Sequence, residues 1–352
     1  MTEPRVLVVG AGLAGVLLAR RLQDAGAEAV LIGAGCRGAP VGPADATAAS
    51  GGLVRAFEPE PAARALATAS LTELLSDPAL AASAGWHRTG SLYVLAAGPG
   101  GGLEIGGADV LTGPELRRRF GFDGPASAVG IWEPRAGYIS PDLLRLAVLR
   151  GLARTEAAPM ARLDDGAVVL RDGRRLTGDR VVVAAGAWTP ALLRAAGFAT
   201  DLRTKHIQYA YHAVTRDDLP SMVDETSGLY GRPAGPGRML LGLPSGRWDP
   251  DPAAPEADAA LAERVATVAT LRLPGLDPRP IGPPVSAADC YSEPAGLALR
   301  AVAGSVHTFT GGSGGAAKTA LAASRLAAST LLDRPAPRRP TGSRAPDVPT
   351  TP

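Results

Sequence analysis

The hydrophobic pattern opens with a short unbroken apolar run, Arg5-Val-Leu-Val-Val9, that stops at a glycine loop. A run of this length bounded by glycine predicts a strand buried on both faces, as in a parallel sheet. After Gly10-Ala-Gly12-Leu-Ala-Gly15 the apolar positions continue from Val16 to Leu22, and Gly26 stands where a helix ends in a left-handed residue. A second run, Ala29-Val-Leu-Ile32, completes a strand–helix–strand unit. Further along, the pattern predicts a helix around Pro61–Leu75 and a strand over Gly90–Leu95. A helix over Asp142–Leu152 follows, with Ser140 as its N-cap and Pro141 in its first turn. Ala167–Leu170 and Arg174–Thr177 flank Asp172-Gly173, a hairpin signal. Val181-Val-Val-Ala-Ala-Gly186 reads as another buried strand. Residues 205–285 alternate strand-like pieces (Gln208–Ala213, Met239–Leu243) with one helix near Ala259–Leu271, and Ser305–Phe309 leads through a glycine loop into a last Ala/Leu helix to about Leu332. Residues 333–352 are rich in Pro, Ser, Thr and Arg and are expected to be a disordered tail.

Composition narrows the classes. With 352 residues, about two domains are expected at roughly 150 residues each. Hydrophobic residues make up 46% and charged residues 20%, which excludes wholesale disorder. A net charge of +2 without a Lys/Arg block speaks against a nucleic-acid or anionic-membrane partner. No apolar run reaches about 18 residues, so no membrane span is expected. Two cysteines, Cys36 and Cys290, make neither a disulfide framework nor a zinc motif. Four histidines show no metal spacing, and no metal is expected. The chain reads as cytoplasmic, a monomer or small homo-oligomer.

Gly10, Gly12 and Gly15 follow a strand and open a helix, the context that a dinucleotide-binding loop requires. Gly10 allows the tight turn, Gly12 admits a pyrophosphate to the backbone, and Gly15 lets helix and sheet pack closely. The helix N-terminus offers free N–H groups to the phosphates. One position departs from the pattern: Gly33 ends the second strand, where an acidic residue would hold a ribose hydroxyl, and Glu28 lies too early to replace it. Gly186, ending a core strand, would let a cofactor approach the backbone. Gly311-Gly-Ser-Gly-Gly315 just before a helix suits a flat ring passing close to the main chain, its reduced charge stabilised by the helix dipole.

Seven collinear segments resemble the amine-oxidising flavoproteins of the D-amino-acid oxidase superfamily, in the branch of monomeric sarcosine oxidase and glycine oxidase. They are Val6–Gly15, Ala49-Ser-Gly-Gly-Leu-Val-Arg-Ala-Phe57, Thr89–Tyr93, Ala136–Pro141, Val181–Trp188, Leu229–Pro233 and Thr310–Lys318. The resemblance implies an α/β (α+β) fold. A Rossmann-like FAD-binding domain is built from residues 1–85, 135–200 and 285–332, and a mixed β-sheet substrate domain from 86–134 and 201–284. It implies FAD held by Gly10, Gly12, Leu13, Ala14, Gly15, Ser50, Gly51, Val168, Ala185, Gly186, Trp188, Cys290, the loop Gly311, Gly312, Ser313, Gly314 and Gly315, and Lys318. Cys290 resembles the cysteine that carries FAD as a thioether; a small buried hydrophobe is the other reading of it.

In the same family an Arg after the first strand–helix–strand unit and a Lys after the last glycine loop grip the substrate carboxylate. Arg55 and Lys318 stand in those places, and such a pair fixes the substrate for reaction. His206, Gln208, Tyr209, Tyr211 and Tyr230 lie where the family forms its pocket ceiling; strand periodicity puts His206 and Gln208 on one face and Tyr209 and Tyr211 on the other. Leu240 replaces the family's oxygen-activating lysine and Pro244 a histidine, with Lys205 the nearest alternative charge.

The activity implied is oxidation of an amine or amino acid bearing a carboxylate: hydride leaves the carbon next to nitrogen for flavin N5, an imine forms, and O2 reoxidises the flavin to give peroxide. Two alternatives stay open. One is a dehydrogenase of the same fold that uses a quinone or protein acceptor. The other is a flavin-fold subunit without catalysis, which Gly33 and Leu240 would suit.

Overall fold

A computed structural model describes residues 3–38, 45–97, 106–164 and 166–333. The expected tail falls on residues outside these, apart from Asp333, which ends the last helix. Two sheets organise the molecule. The first has six strands in the order Ala298–Ala303, Val306–Thr310, Arg180–Val183, Arg5–Val9, Glu28–Ile32 and Thr155–Glu156. Every neighbouring pair is parallel except the antiparallel edge formed by Ala298–Ala303.

The apolar run Arg5–Val9 shows why this sheet is covered twice. Val6 and Val8 face one core, with the helices Leu13–Asp24 and Ala316–Asp333, while Leu7 and Val9 face another. That second core is roofed by a three-stranded antiparallel sheet containing the expected hairpin, Ala167–Leu170 against Arg175–Thr177. Alternate side chains of one strand thus go to different cores, and a polar residue in the middle of the run would have no solvent to face. Helix ends follow their signals as well. The Ser140 hydroxyl accepts from Leu143 N over Pro141–Leu149, and Gly26 takes a left-handed φ of +83° after the first helix.

The second sheet has eight strands, in the order Arg279–Tyr291, Arg203–Ala213, Arg238–Gly242, Tyr230–Pro233, Ser221–Asp224, Ser91–Leu95, Val129–Glu133 and Asp109–Thr112. Only Ser221–Asp224 and Ser91–Leu95 pair in parallel. Its far face buries Leu92, Met222 and Leu241 with residues of the helices Gly113–Phe120 and Ala259–Arg272.

The long edge strand Arg279–Tyr291 differs from the sequence expectation. It carries Pro280, Gly282, Pro283 and Pro284 and so does not read as a strand, yet it pairs with Arg203–Ala213 along most of its length. Among the described residues its other side pairs with no further named strand, only with the isolated bridges Asp45–Ala288 and Tyr291–Gly312, and an edge is where a sheet tolerates proline. The expected boundary at residue 285 therefore falls inside a strand of the second sheet, and the first sheet resumes only at Ala298. Among the described residues, no helix is long and apolar enough to cross a membrane, and no group of three His, Cys, Asp or Glu could hold a metal ion.

Candidate active site

A cleft of about 970 Å³ runs between the two sheets, and residues from both line it. This volume lies at the upper end of the roughly 300–1,000 Å³ of small-molecule sites. One end is the mouth of the parallel sheet. There Gly10 has a φ of +118°, and a Cβ on it would stand 2.4 Å from Ala184 O; a Cβ on Gly15 would stand 1.9 Å from Gly10 O. Both must be glycine for the loop to fit between strand and helix. Gly10, Gly12, Leu13 and Ala14 line the cleft, whereas Gly15 serves packing behind it. No acidic side chain occupies the first turn of the helix Leu13–Asp24, so its positive end is open to an anion.

Thr47 is a residue that the sequence reading passed over. It lines the cleft, its hydroxyl accepts from Leu13 N at 3.1 Å, and its own N–H donates to Asp45 at 2.8 Å. Ser50 and Gly51 also line the cleft. The Gly51 carbonyl is fixed by Arg232 Nε at 2.6 Å. Beyond the second strand the lining is Gly33, Ala34 and Gly35, with Pro159, Met160 and Arg171 across from them. Glu28 is the first residue of that strand and is engaged by Arg5 and Arg154 at the opposite end, so it does not replace the missing acid.

Ala185, Gly186 and Trp188 continue the lining in the turn after Arg180–Val183, where Gly186 has a φ of +52°. Val168 does not line the cleft: it is fully buried in the core beneath the three-stranded sheet. Gly312, Ser313, Gly314 and Gly315 line it, and Gly311 stands behind them against Ser292. Asp289 holds this loop, accepting from Gly314 N at 2.9 Å and Cys290 N at 2.8 Å. Burial pushes its carboxyl up.

Cys290 corrects an expectation. Asp289 and Tyr291 line the cleft, and alternation along the strand turns Cys290 the other way. Its side chain is 1% exposed, in the core with Leu7, Val9 and Val306. Burial pushes its thiol up to about 11. A thiol turned into a core and kept protonated is not placed to bind a cofactor in the cleft, and the small-hydrophobe reading is the one this geometry supports.

Arg55 and Lys318 come together. Arg55 Nη2 lies 2.6 Å and Lys318 Nζ 3.2 Å from the same atom, Glu58 Oε1. Both cations line the cleft. Arg55 is 5% exposed; its Nε donates to Phe57 O at 3.1 Å and its guanidinium lies 4.7 Å from the centre of the Tyr93 ring. Glu133 supports the segment from below, accepting from Ala56 N at 2.8 Å and Phe57 N at 3.1 Å. Burial, reinforced by the Arg55 charge, brings the Lys318 ammonium down to about 8 against the opposing pull of Glu58. Glu58 was not singled out in the sequence; three residues beyond Arg55, it has no signal of its own.

Of the expected ceiling residues, His206, Tyr209 and Tyr230 line the cleft, whereas Gln208 and Tyr211 do not. Lys205, Ile207 and Tyr209 line the cleft. Tyr211 packs edge-on against Tyr209, at 5.8 Å between ring centres, and borders a smaller side cavity. Gln208 is turned away: both its amide atoms bond the backbone of Asp258, at 2.6 and 2.8 Å, and anchor the start of the helix Ala259–Arg272. His206 borders the cleft, but its Nε2 pairs with Ser286 Oγ at 2.8 Å and burial lowers its pKa. Tyr230 lines the cleft with its hydroxyl donating to Gln208 O at 2.8 Å. Leu240 is fully buried and not part of the lining, while Pro244 is; the Lys205 ammonium lies 5.0 Å from the Trp248 ring centre and 5.3 Å from that of Tyr291.

No curated protein matches the chain by sequence. Solved structures do match by fold. Glycine oxidase from Geobacillus kaustophilus has a TM-score of 0.73 at 17% identity, covering 94% of this chain and 95% of its own. L-proline dehydrogenase from P. horikoshii has a TM-score of 0.76 at 16% identity, covering 94% and 93%. Iminodiacetate oxidase from Chelativorans sp. BNC1 has a TM-score of 0.70 at 21% identity, covering 95% and 97%. The FAD-dependent oxidoreductase (DAO) family model matches residues 5–330, nearly all the described chain, and the glycine cradle, the open helix N-terminus and the long cleft fit that cofactor. The chain therefore belongs to the DAO family of FAD-dependent oxidoreductases.

Proposed function

We propose that this enzyme oxidises a small amine or amino acid that carries a carboxylate, with Arg55 and Lys318 as the carboxylate clamp. The observation that carries this reading is the shared acceptor: one carboxylate oxygen already lies within 2.6 Å of Arg55 and 3.2 Å of Lys318. A substrate carboxylate takes the two cations over from Glu58, an exchange of one carboxylate for another at nearly constant charge. Glycine oxidase and iminodiacetate oxidase among the structural relatives are named for carboxylated amines, which supports the same class.

Bound FAD, held by Gly10, Gly12, Leu13, Ala14, Thr47, Ser50, Gly51, Gly186, Trp188 and the loop Gly312–Gly315, supplies the two-electron acceptor for oxidation of the C–N bond to an imine. The chain's own task is positioning and selection. Arg55 is fixed on three sides by Phe57 O, Glu58 and the Tyr93 ring, so little of its freedom remains to be lost on binding. Ile207, Val223 and Leu243 give the cleft an apolar wall. Tyr93, beside the clamp, is not a ready general base: burial holds its phenol neutral, and its hydroxyl donates a hydrogen bond to Glu225. The amine accordingly enters in its neutral form, its proton lost to solvent before binding.

We propose O2 as the oxidant that completes turnover. The test is anaerobic mixing of the FAD-loaded enzyme with carboxylated amines, followed by oxygenation. Reduction by such amines and prompt reoxidation with peroxide formation supports the reading. Reduction with slow reoxidation in air, accelerated by a quinone, favours the dehydrogenase, and no reduction by any amine rejects the enzyme assignment to this class.

A further inference from the structure

Glu225 is a carboxylate the proposed reaction does not use. It lines the same cleft, on the rim formed after the strand Ser221–Asp224. Among the described residues its side chain has one partner, the Tyr93 hydroxyl, and no cation. Tyr93 donates that bond from one end of its ring while Arg55 lies over the ring's face. Arg55 and Glu225 are thus held one phenol ring apart, opposite charges facing one cleft. Arg55 sits at the bottom, 5% exposed, and Glu225 at the open rim.

Hydrogen bonds hold the segment that presents Glu225. The neighbouring Asp224 is fully buried and accepts from Thr226 N at 2.9 Å, from Thr226 Oγ1 at 2.6 Å and from Arg272 Nε at 3.1 Å. Its own N–H donates to Leu229 O at 2.7 Å, and Glu225 N donates to Val94 O at 3.0 Å. A buried charge pair and four bonds therefore fix a loop whose exposed product is one uncompensated carboxylate. Asp224 is neutralised by Arg272; Glu225 is not.

We infer that the substrate carries a second cationic group, an ammonium or guanidinium at the end of its side chain, that pairs with Glu225 while its carboxylate occupies the Arg55–Lys318 clamp. The inference rests on the clamp reading above. It makes the cleft dipolar, cation-binding at the rim and anion-binding at the floor, and selective for basic amino acids over neutral ones of the same length. Electrostatic complementarity of this kind discriminates between partners of equal size, because an uncompensated carboxylate rejects an apolar chain end as well as attracting a charged one.

The experiment uses the FAD-loaded enzyme and two matched pairs. Racemic lysine and racemic norleucine are compared by kcat/KM, and ε-aminocaproate and caproate, which lack an α-amine, by perturbation of the flavin spectrum on binding. The wild type is expected to prefer the cationic member of each pair, and Glu225→Gln to reduce that preference about tenfold. Glu225→Lys is expected to reverse it. A preference missing in the wild type, or equal in wild type and Glu225→Gln, overturns the inference. If caproate binding is then still lost in Arg55→Leu, the clamp survives without it. Caproate that binds wild type and Arg55→Leu alike removes the clamp and the inference together.

Discussion

Arg55 and Lys318, one after the first strand–helix–strand unit and one in the last helix, converge on a single oxygen of Glu58, at 2.6 and 3.2 Å. Arg55 and Lys318 line the cleft and Glu58 does not, and two cations against one carboxylate leave the trio one net positive charge. Glu58, paired with both, compensates their charge.

Arg55→Leu is expected to raise KM for carboxylated amines about a hundredfold, the loss of a charge-assisted bond of roughly 2–3 kcal/mol. Carboxyl-free analogues should be much less affected. Steady-state kinetics on matched pairs checks this, and equal losses on both would assign Arg55 to structure instead.

Lys318 links binding to pH. Its ammonium titrates near 8 rather than 10.5, because burial disfavours the charge. Affinity of the resting enzyme for a simple carboxylate such as caproate should therefore fall as pH rises through about 8, read from flavin-perturbation titrations. A pH-independent affinity between 7 and 9 would contradict the shift.

The same shift has a cost in stability. The folded pKa of this base is depressed, so between about 8 and 10.5 the unfolded chain binds a proton that the folded chain has released, and stability rises with pH across that window. Below 8 the burial of charge is borne in full. Lys318→Met should thus stabilise the protein at neutral pH by on the order of 2 kcal/mol while weakening carboxylate binding. Thermal unfolding measured beside the caproate titration tests both halves; a lower Tm in the variant would refute the first.

The glycine cradle gives a fourth expectation. A methyl on Gly15 would stand 1.9 Å from Gly10 O, a backbone atom that cannot step aside. Gly15→Ala should yield protein with little or no FAD, whereas Gly12→Ala, whose Cβ meets only Thr47 Oγ1 at 3.2 Å among the described residues, should fold with weakened FAD affinity. Absorbance of the purified proteins distinguishes them, and full FAD in Gly15→Ala would mean the loop is built differently.

Cys290 faces the core, so FAD should leave the polypeptide on acid denaturation of the wild type. Cys290→Ala should keep its FAD and lose about 1 kcal/mol of stability through the small cavity left behind. Yellow colour that stays with precipitated wild type and leaves precipitated Cys290→Ala would restore the thioether reading.

What was legible in the sequence follows a physical rule. The strands of the parallel sheet are buried on both faces and read as apolar runs, so Arg5–Val9 and Arg180–Val183 were found to within two or three residues of their bounds. Arg279–Tyr291 was hidden, because an edge strand accepts prolines that would break an inner one. For the site, the glycines and the two cations carry local signals. Glu58, Thr47 and Asp289 do not: each is an ordinary polar residue whose role arises only when distant segments meet. Cys290 was left between two readings for the converse reason, since one position along a strand decides between cleft and core. Gln208 turns toward the start of the helix Ala259–Arg272 while His206 lines the cleft, and the residue types alone could not say which of these positions was wet.

The most direct test is a crystal structure of the FAD-loaded enzyme with caproate bound. The account predicts the ligand carboxylate within hydrogen-bond reach of both Arg55 Nη2 and Lys318 Nζ, with Glu58 drawn off at least one of them and the flavin ring beside Gly312–Gly315. A carboxylate bound elsewhere in the cleft, with both cations still on Glu58, would contradict it.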